Sequence, residues 1–235
     1  MLTYLIQFAL YLLSLFSGDV HNEFLPHSSA DAVGDEYSDL KYLEMFATPT
    51  DGGQKFLSMA SFYNEAYFTG KCSATIFRHD YETDFKRPAE FTQNPAVSHD
   101  KQPTTSWYSN SGYDRGHISP NADNSYNDDA IHQSFYVTNI APQDPWTNRG
   151  PWGHLEEGLR SFAQTQTQDL FIVTCTHGQS GTIHDGGIVV PEYYYKLVCA
   201  LDESKDYPTA SFYGLNTLST SEDRDARQAN VFTPK

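Results

Sequence analysis

Basic residues are scarce in this sequence. Fifteen Lys and Arg stand against 30 Asp and Glu in 235 residues, a formal net charge of −15. That balance excludes a chain that grips polyanions through a broad basic surface. Any phosphate chemistry here would need a bound cation to supply local attraction. The acidity is uneven: residues 18–54 hold eight acids, from Asp19 to Asp51, against one base, Lys41. Residues 55–107 carry six of each sign, and residues 108–160 are net −4. Cysteine is sparse too. Cys72, Cys175 and Cys199 are an odd set without the spacing of a zinc site. Cys175 and Cys199 each end an apolar run and could face each other across a sheet; Cys72 with either is equally permitted. A P-loop, a dinucleotide fingerprint and a Gly-x-Ser-x-Gly elbow are all missing. Beyond Phe16 no apolar stretch is long enough to span a bilayer, so no stable membrane partner is expected.

What is present is aromatic and globular. Sixteen Tyr and 15 Phe, with dispersed Gly and Pro, suit one well-packed domain. Leu2 to Phe16 is apolar and uncharged and ends in small residues, which reads as a signal peptide over residues 1–18, although no Lys or Arg precedes it. Secretion is the expectation. Residues 19–54 read as an acidic, partly extended lead-in and 55–235 as a single domain.

Strand patterns occur at Phe56–Tyr63, Ser73–His79, Ser134–Ile140, Leu170–Thr174, Ile188–Val190, Tyr193–Leu201 and Tyr207–Leu215. A short helix is predicted over Asn124–His132, capped by Asn127 or Asp128. A longer one is predicted over residues 151–165, with Pro151 at its start and Trp152, Leu155, Leu159 and Phe162 along one face. Strands dominate without regular alternation with helices, so the class is α+β.

The chemistry concentrates in Gly112–Pro120, where Asp114, Arg115, Gly116 and His117 lie side by side among turn residues. His117 can take a proton near neutral pH, and Arg115 offers a forked donor to phosphate, as does Arg87 upstream. A second cluster follows: Asn139-Ile-Ala-Pro142-Gln143, then Asn148, Trp152 and Glu156. The Asn148 carboxamide is a hard oxygen ligand of the kind Mg²⁺ accepts, and Glu156 could hold water around such an ion. Taken singly, each residue has a plainer reading. His117 could be a core histidine, Asn139 and Asn148 turn formers, Glu156 a complement to a helix dipole, and Arg115 and Arg87 ion-pair partners. Asp114 reads as a structural holder of its segment, Trp152 as core, and His177 and His184 as loop histidines.

Together, Asp114-Arg115-Gly116-His117, Asn139-x-x-Pro142-Gln143 and Asn148-x-x-x-Trp152-x-x-x-Glu156 resemble the DNA/RNA non-specific endonucleases of the His-Me finger (ββα-metal) class. The resemblance extends over about residues 56–216 and includes Val190-Pro191 followed by Lys196. It implies a mainly antiparallel central sheet flanked by helices. It further implies His117 as general base, Asn148 as the metal ligand and Glu156 as support for metal-bound water. Arg115 and Arg87 would meet phosphate, and Asn139, Gln143 and Lys196 would shape the site and contact substrate. The implied cofactor is Mg²⁺, with Mn²⁺ possible. The implied activity is cleavage of DNA and RNA with little sequence preference, leaving 5′-phosphate ends. A nuclease fold that binds without cutting is the alternative that the acidic surface raises.

Overall fold

A computed structural model of the chain describes residues 40–82, 85–185, 187–201, 209–210, 214–218 and 230–232, the last three stretches as backbone only. The signal peptide reading, the lead-in up to residue 39 and the polar tail from Ser219 to Ala229 lie outside the described residues.

The main sheet runs β1 (Leu40–Ala47), β2 (Phe56–Asn64), β3 (Thr69–Phe77), β6 (Leu170–His177), β9 (Tyr193–Ala200), β11 (Gly214–Leu218) and β12 (Asn230–Phe232), and β10 (Thr209–Ala210) also pairs with β9. Every pairing in it is antiparallel. β1 lies inside the expected lead-in. Its Leu43, Met45 and Ala47 point into the core while Tyr42 and Phe46 stay exposed, the period-2 signature of an edge strand covered on one face. The predicted Tyr207–Leu215 strand is divided between β10 and β11.

A two-stranded hairpin, β4 (Asp114–His117) with β5 (Ile140–Gln143), packs on this sheet, helix α2 (Gly153–Gln166) follows it, and β7 (Gly181–Ile183) pairs with β8 (Ile188–Val190). The motif segment, expected among turns, is thus itself a strand. The predicted strand at Ser134–Ile140 does not form. Helix α1 (Asp128–Ser134) occupies its start, with the Asn127 side chain as N-cap, and a 3₁₀ turn spans Val137–Asn139. Phe135, Val137 and Ile140 are buried all the same; residues 135 and 137 exchange only two hydrogen bonds with Thr92, and ladder pairing begins at Ile140, the first residue of β5. Apolar alternation there serves packing, not pairing.

The predicted helix at 151–165 begins earlier than expected. Asp144 accepts from the Thr147 N–H at 3.1 Å and caps a helical turn, Pro145–Thr147. The chain then widens into a π turn, Asn148–Trp152, containing Pro151 and a non-helical Gly150, before α2 proper. Proline has no N–H to donate, which disrupts the regular i to i−4 ladder at this point. Trp152 and Ala163 are buried and Leu155 and Leu159 pack beside them, whereas Phe162, expected on that face, is 45% exposed.

Two contacts fix the layers. The turn before α2 packs through Trp152 on Ile118, Ala141 and Tyr194, and α2 itself packs through Ala163 on Phe77, Ile172 and Val198. β3 meets the hairpin at Gly70, where a Cβ would stand 2.9 Å from both Ile118 Cγ1 and the Thr138 carbonyl; only glycine permits that approach. Of the cysteine pairings left open, Cys72–Cys175 forms, between direct partners on β3 and β6 with Cα atoms 4.1 Å apart. Cys199 is buried and free, opposite Phe171 and four residues out of register with Cys175.

Candidate active site

The β4–β5 hairpin holds the first half of the site. Its Asp114, Arg115, Gly116 and His117 lie opposite Gln143, Pro142, Ala141 and Ile140. A Cβ on residue 116 would sit 2.7 Å from Gln143 Cβ and closer still to its Oε1, so glycine is required for the hairpin to close. Gln143 is fully buried, and neither end of its carboxamide has a hydrogen-bond partner.

His117 is packed between Phe91 and Phe135, whose ring centroids are 5.1 and 5.0 Å away. Its Nε2 has no protein partner. Burial, reinforced by the Arg87 guanidinium, pushes the imidazole down to about 3. The ring is therefore neutral at physiological pH and able to accept a proton, but a value this far below neutrality makes it a weak base in the free protein. Arg87 lies 5.2 Å over the same Phe135 ring. The loop arginine and the histidine, thirty residues apart in sequence, thus share one aromatic neighbour.

Asn148 belongs to the widened turn, and its Nδ2 donates to Asp114 Oδ2 at 2.9 Å. Arg149 grips the same carboxylate through Nε at 2.7 Å and Nη2 at 2.5 Å. Burial raises the Asp114 carboxyl, but its bonds to Arg149 and Asn148 outweigh that and leave it lowered. Asp114 is therefore the structural holder expected, and what it holds is Asn148. With the amide nitrogen committed, the carboxamide oxygen is the end left for a cation.

Glu156 and Lys196 meet between α2 and the sheet. Lys196, only 2% exposed, donates to Thr174 Oγ1 at 2.8 Å, stands 4.8 Å over the Trp152 ring and lies 3.4 Å from Glu156 Oε1. Burial pushes the Glu156 carboxyl up to about 7 against the opposing pull of Lys196.

Other expected contacts are placed differently. Asn139 is fully buried and saturated: Nδ2 donates to the Ser119 and Ser134 carbonyls, and Oδ1 accepts from the Ser119 N–H. It clamps the turn after β4 to the end of α1 and has no side-chain group left for substrate. Lys196 is likewise too buried for a substrate contact. Arg115 donates to the Thr105 carbonyl at 2.7 Å and lies 5.6 Å over the Tyr108 ring, so it braces that loop. His177 is the last residue of β6, not part of a loop. Arg160 was not singled out from sequence. It pairs with buried Asp123 at 2.8 Å and joins Arg87, Asn121, Ser125, Ser161 and Gln164 around a cleft of about 470 Å³. An arginine four residues after Glu156 on one helix face was the available signal.

A larger cleft of about 540 Å³ lies on the sheet beside Phe56, Ala74 and Tyr126 and carries none of the motif residues. His79, Asp80 and Asp169 bring three ligand-type atoms within 4.8 Å of one another, a group that could hold a metal ion. Asp169 there already accepts from the His79 backbone N–H and from Arg78. Beside the hairpin, the carboxamide oxygen of Asn148 is a hard donor of the kind Mg²⁺ accepts, while Glu156 Oε1 is paired with Lys196.

Comparison with known proteins identifies the family. Residues 48–232 match the DNA/RNA non-specific endonuclease family. A nuclease of Nostoc sp. is 41% identical over 99 residues, 42% of this chain and 36% of its own. Human mitochondrial endonuclease G is 32% identical over 125 residues, 48% of this chain and 42% of its own. Mouse mitochondrial nuclease EXOG is 27% identical over 192 residues, covering 74% and 50%. The chain thus spans about a third to a half of the length of these relatives. A chain of the EndoG/EndoGI complex superposes with a TM-score of 0.60 at 19% identity, over 77% of each chain, and shares the fold. With its ββα hairpin–helix unit and its matched length, the chain belongs to the DNA/RNA non-specific endonuclease family.

Proposed function

We propose that this protein is a divalent-metal-dependent endonuclease that hydrolyses DNA and RNA with little sequence preference and leaves 5′-phosphate ends. The observation that carries the reading is Asp114: it sits on the same short strand as His117 and binds Asn148, tying base and ligand into one unit. Neutral His117 accepts the proton of a water attacking phosphorus. Asn148 would hold the cation, Mg²⁺ or Mn²⁺, which supplies charge neutralisation at the phosphoryl group and the departing 3′ oxygen. Arg87 and Arg160, flanking the adjacent cleft, offer donors to the strand's phosphates. Contacts to phosphate carry no base information directly, which supports low sequence preference. The nuclease relatives support the activity. Secretion is supported by the apolar N-terminal run and by the Cys72–Cys175 disulfide, a bond that persists in oxidising compartments.

The test is cleavage of plasmid and of RNA in Mg²⁺ or EDTA, beside a His117→Ala variant checked for folding by circular dichroism. The variant should lose roughly 10²- to 10⁴-fold in rate. Equal rates would remove His117 as the base, and no cleavage by wild type under any divalent ion would favour a binding module. End-labelling of products before and after phosphatase reads the 5′ phosphate, and N-terminal sequencing of secreted protein reads the leader.

A further inference from the structure

We propose that Arg149 is a phosphate-binding residue: Asp114 clamps one edge of its guanidinium, and the other edge is held out to a phosphodiester of a nucleic acid strand. That strand is the substrate of the nuclease reading above, on which the proposal rests.

Arg149 follows Asn148 directly in the widened turn before α2, next in sequence to the residue that would hold the cation. Its Nε and Nη2 donate to the Asp114 carboxylate at 2.7 and 2.5 Å, a forked grip that fixes the plane of the guanidinium. A guanidinium carries five N–H donors, and this grip engages only one edge of the fork. Nη1 and the second N–H of Nη2 point away from Asp114. The Arg149 side chain is 72% exposed, against 16% for Asp114, so the arginine and not the carboxylate is the partner that meets solvent. An arginine already immobilised by a carboxylate gives up less side-chain freedom when it takes a phosphate than a free one does.

The charge balance singles out the same residue. Residues 108–160 are net −4, and their Lys and Arg are Arg115, Arg149 and Arg160 alone. Arg115 is turned to the Thr105 carbonyl and the Tyr108 ring, and Arg160, with 23% side-chain exposure, is bound to Asp123. Arg149 is the one of the three with an open edge in solvent. Arg87 and Arg160 border the cleft of about 470 Å³, whose lining does not include Arg149, so Arg149 addresses a different phosphate of the strand. Its grip also cancels the Asp114 charge, which unpaired would repel a phosphate beside Asn148. Cancellation and contact are different roles, and binding separates them.

The experiment measures binding of full-length protein to fluorescent DNA duplexes and single strands by anisotropy in EDTA, which leaves the strands uncut, across a salt series. Arg149→Gln keeps a donor for Asp114 and removes the positive charge. It should weaken binding equally for strands of different sequence. The slope of log Kd against log salt should become shallower by about 0.9 on duplex DNA and about 0.7 on a single strand, the loss of one phosphate contact. Arg149→Lys keeps the charge without the fork and should recover the slope. Asp114→Asn/Arg149→Gln removes both charges and should stay as shallow as Arg149→Gln. An unchanged slope in Arg149→Gln, shown to be folded by circular dichroism, would overturn the proposal. So would a double variant that binds like wild type, because Arg149 would then only cancel Asp114. Wild type that binds neither strand at low salt would overturn it as well. Protein with the expected slopes that cuts nothing in Mg²⁺ or Mn²⁺ would uphold the contact and sink the nuclease reading; cleavage with an unchanged slope would do the reverse.

Discussion

Replacing Cys72 and Cys175 together by alanine should destabilise the protein far more than either side chain's size suggests. The bridge spans 103 residues of sequence, joining β3 to β6 across everything that builds the site. Closing a loop of that length in the unfolded chain corresponds to about 4.7 kcal/mol at 25 °C in the chain-entropy account, and measured losses of native disulfides run about 2–5 kcal/mol. Set against a total stability of about 5–15 kcal/mol, that is a third or more of what holds the domain together. At about 2–4 °C per kcal/mol for a domain this size, Tm should fall by roughly 10–20 °C. The assay is urea and thermal unfolding in EDTA, so that cation binding does not add to the native state. Wild type in dithiothreitol should coincide with the double variant, and dithiothreitol should leave the double variant unmoved. Cys199→Ala should retain the full response to reductant, since that thiol is buried and unbridged. A double variant within about 1 kcal/mol of wild type would refute the reasoning, because it would mean that strand pairing and packing already hold β3 to β6 in the unfolded chain's place.

Two further outcomes follow from the site. Asp114→Ala releases the Asn148 carboxamide to rotate, so apparent Mg²⁺ affinity, read from activity against Mg²⁺ concentration, should weaken roughly 10- to 100-fold with partial recovery at saturating metal. An unchanged metal dependence would remove Asp114 from that role. His117, held at about 3 in the fold against 6.5 when free, makes the unfolded state bind more protons between those values, so its contribution to stability is intact above pH 6.5 and is lost as pH falls toward 3. Glu156, raised from 4.5 to about 7, acts oppositely and loses stability as pH rises through that window. Denaturation midpoints from pH 7 to 4 should therefore drop more steeply for Glu156→Gln than for wild type and less steeply for His117→Phe; identical slopes would contradict both assignments.

Part of the candidate site was legible without coordinates. Asp114, His117, Asn148 and Glu156 stand out through the joined motifs that resemble the family, and the structure puts Asp114 and His117 on one strand and Asp114 against Asn148. Strand-like apolar runs likewise located β2 and the β6–β9 pair to within a few residues. The misreadings share one physical cause. Ser134–Ile140 alternates like a strand, yet burial alone satisfies that alternation, and whether a ladder forms depends on a neighbour that local sequence does not specify. Pro151 looks like a helix start, yet the Asp144 cap seven residues earlier had already begun one.

At the site, the family resemblance alone implies Asn139 and Lys196 as substrate contacts, and the packing shows both to be buried and committed to protein partners. The choice among three cysteine pairings was likewise decided by strand register, which brings Cys72 opposite Cys175 and leaves Cys199 opposite a phenylalanine. By itself the sequence determined which atoms could do chemistry. The tertiary structure alone decided which of them are buried against protein partners and which hold the others in place, because that depends on contacts between residues far apart in the chain.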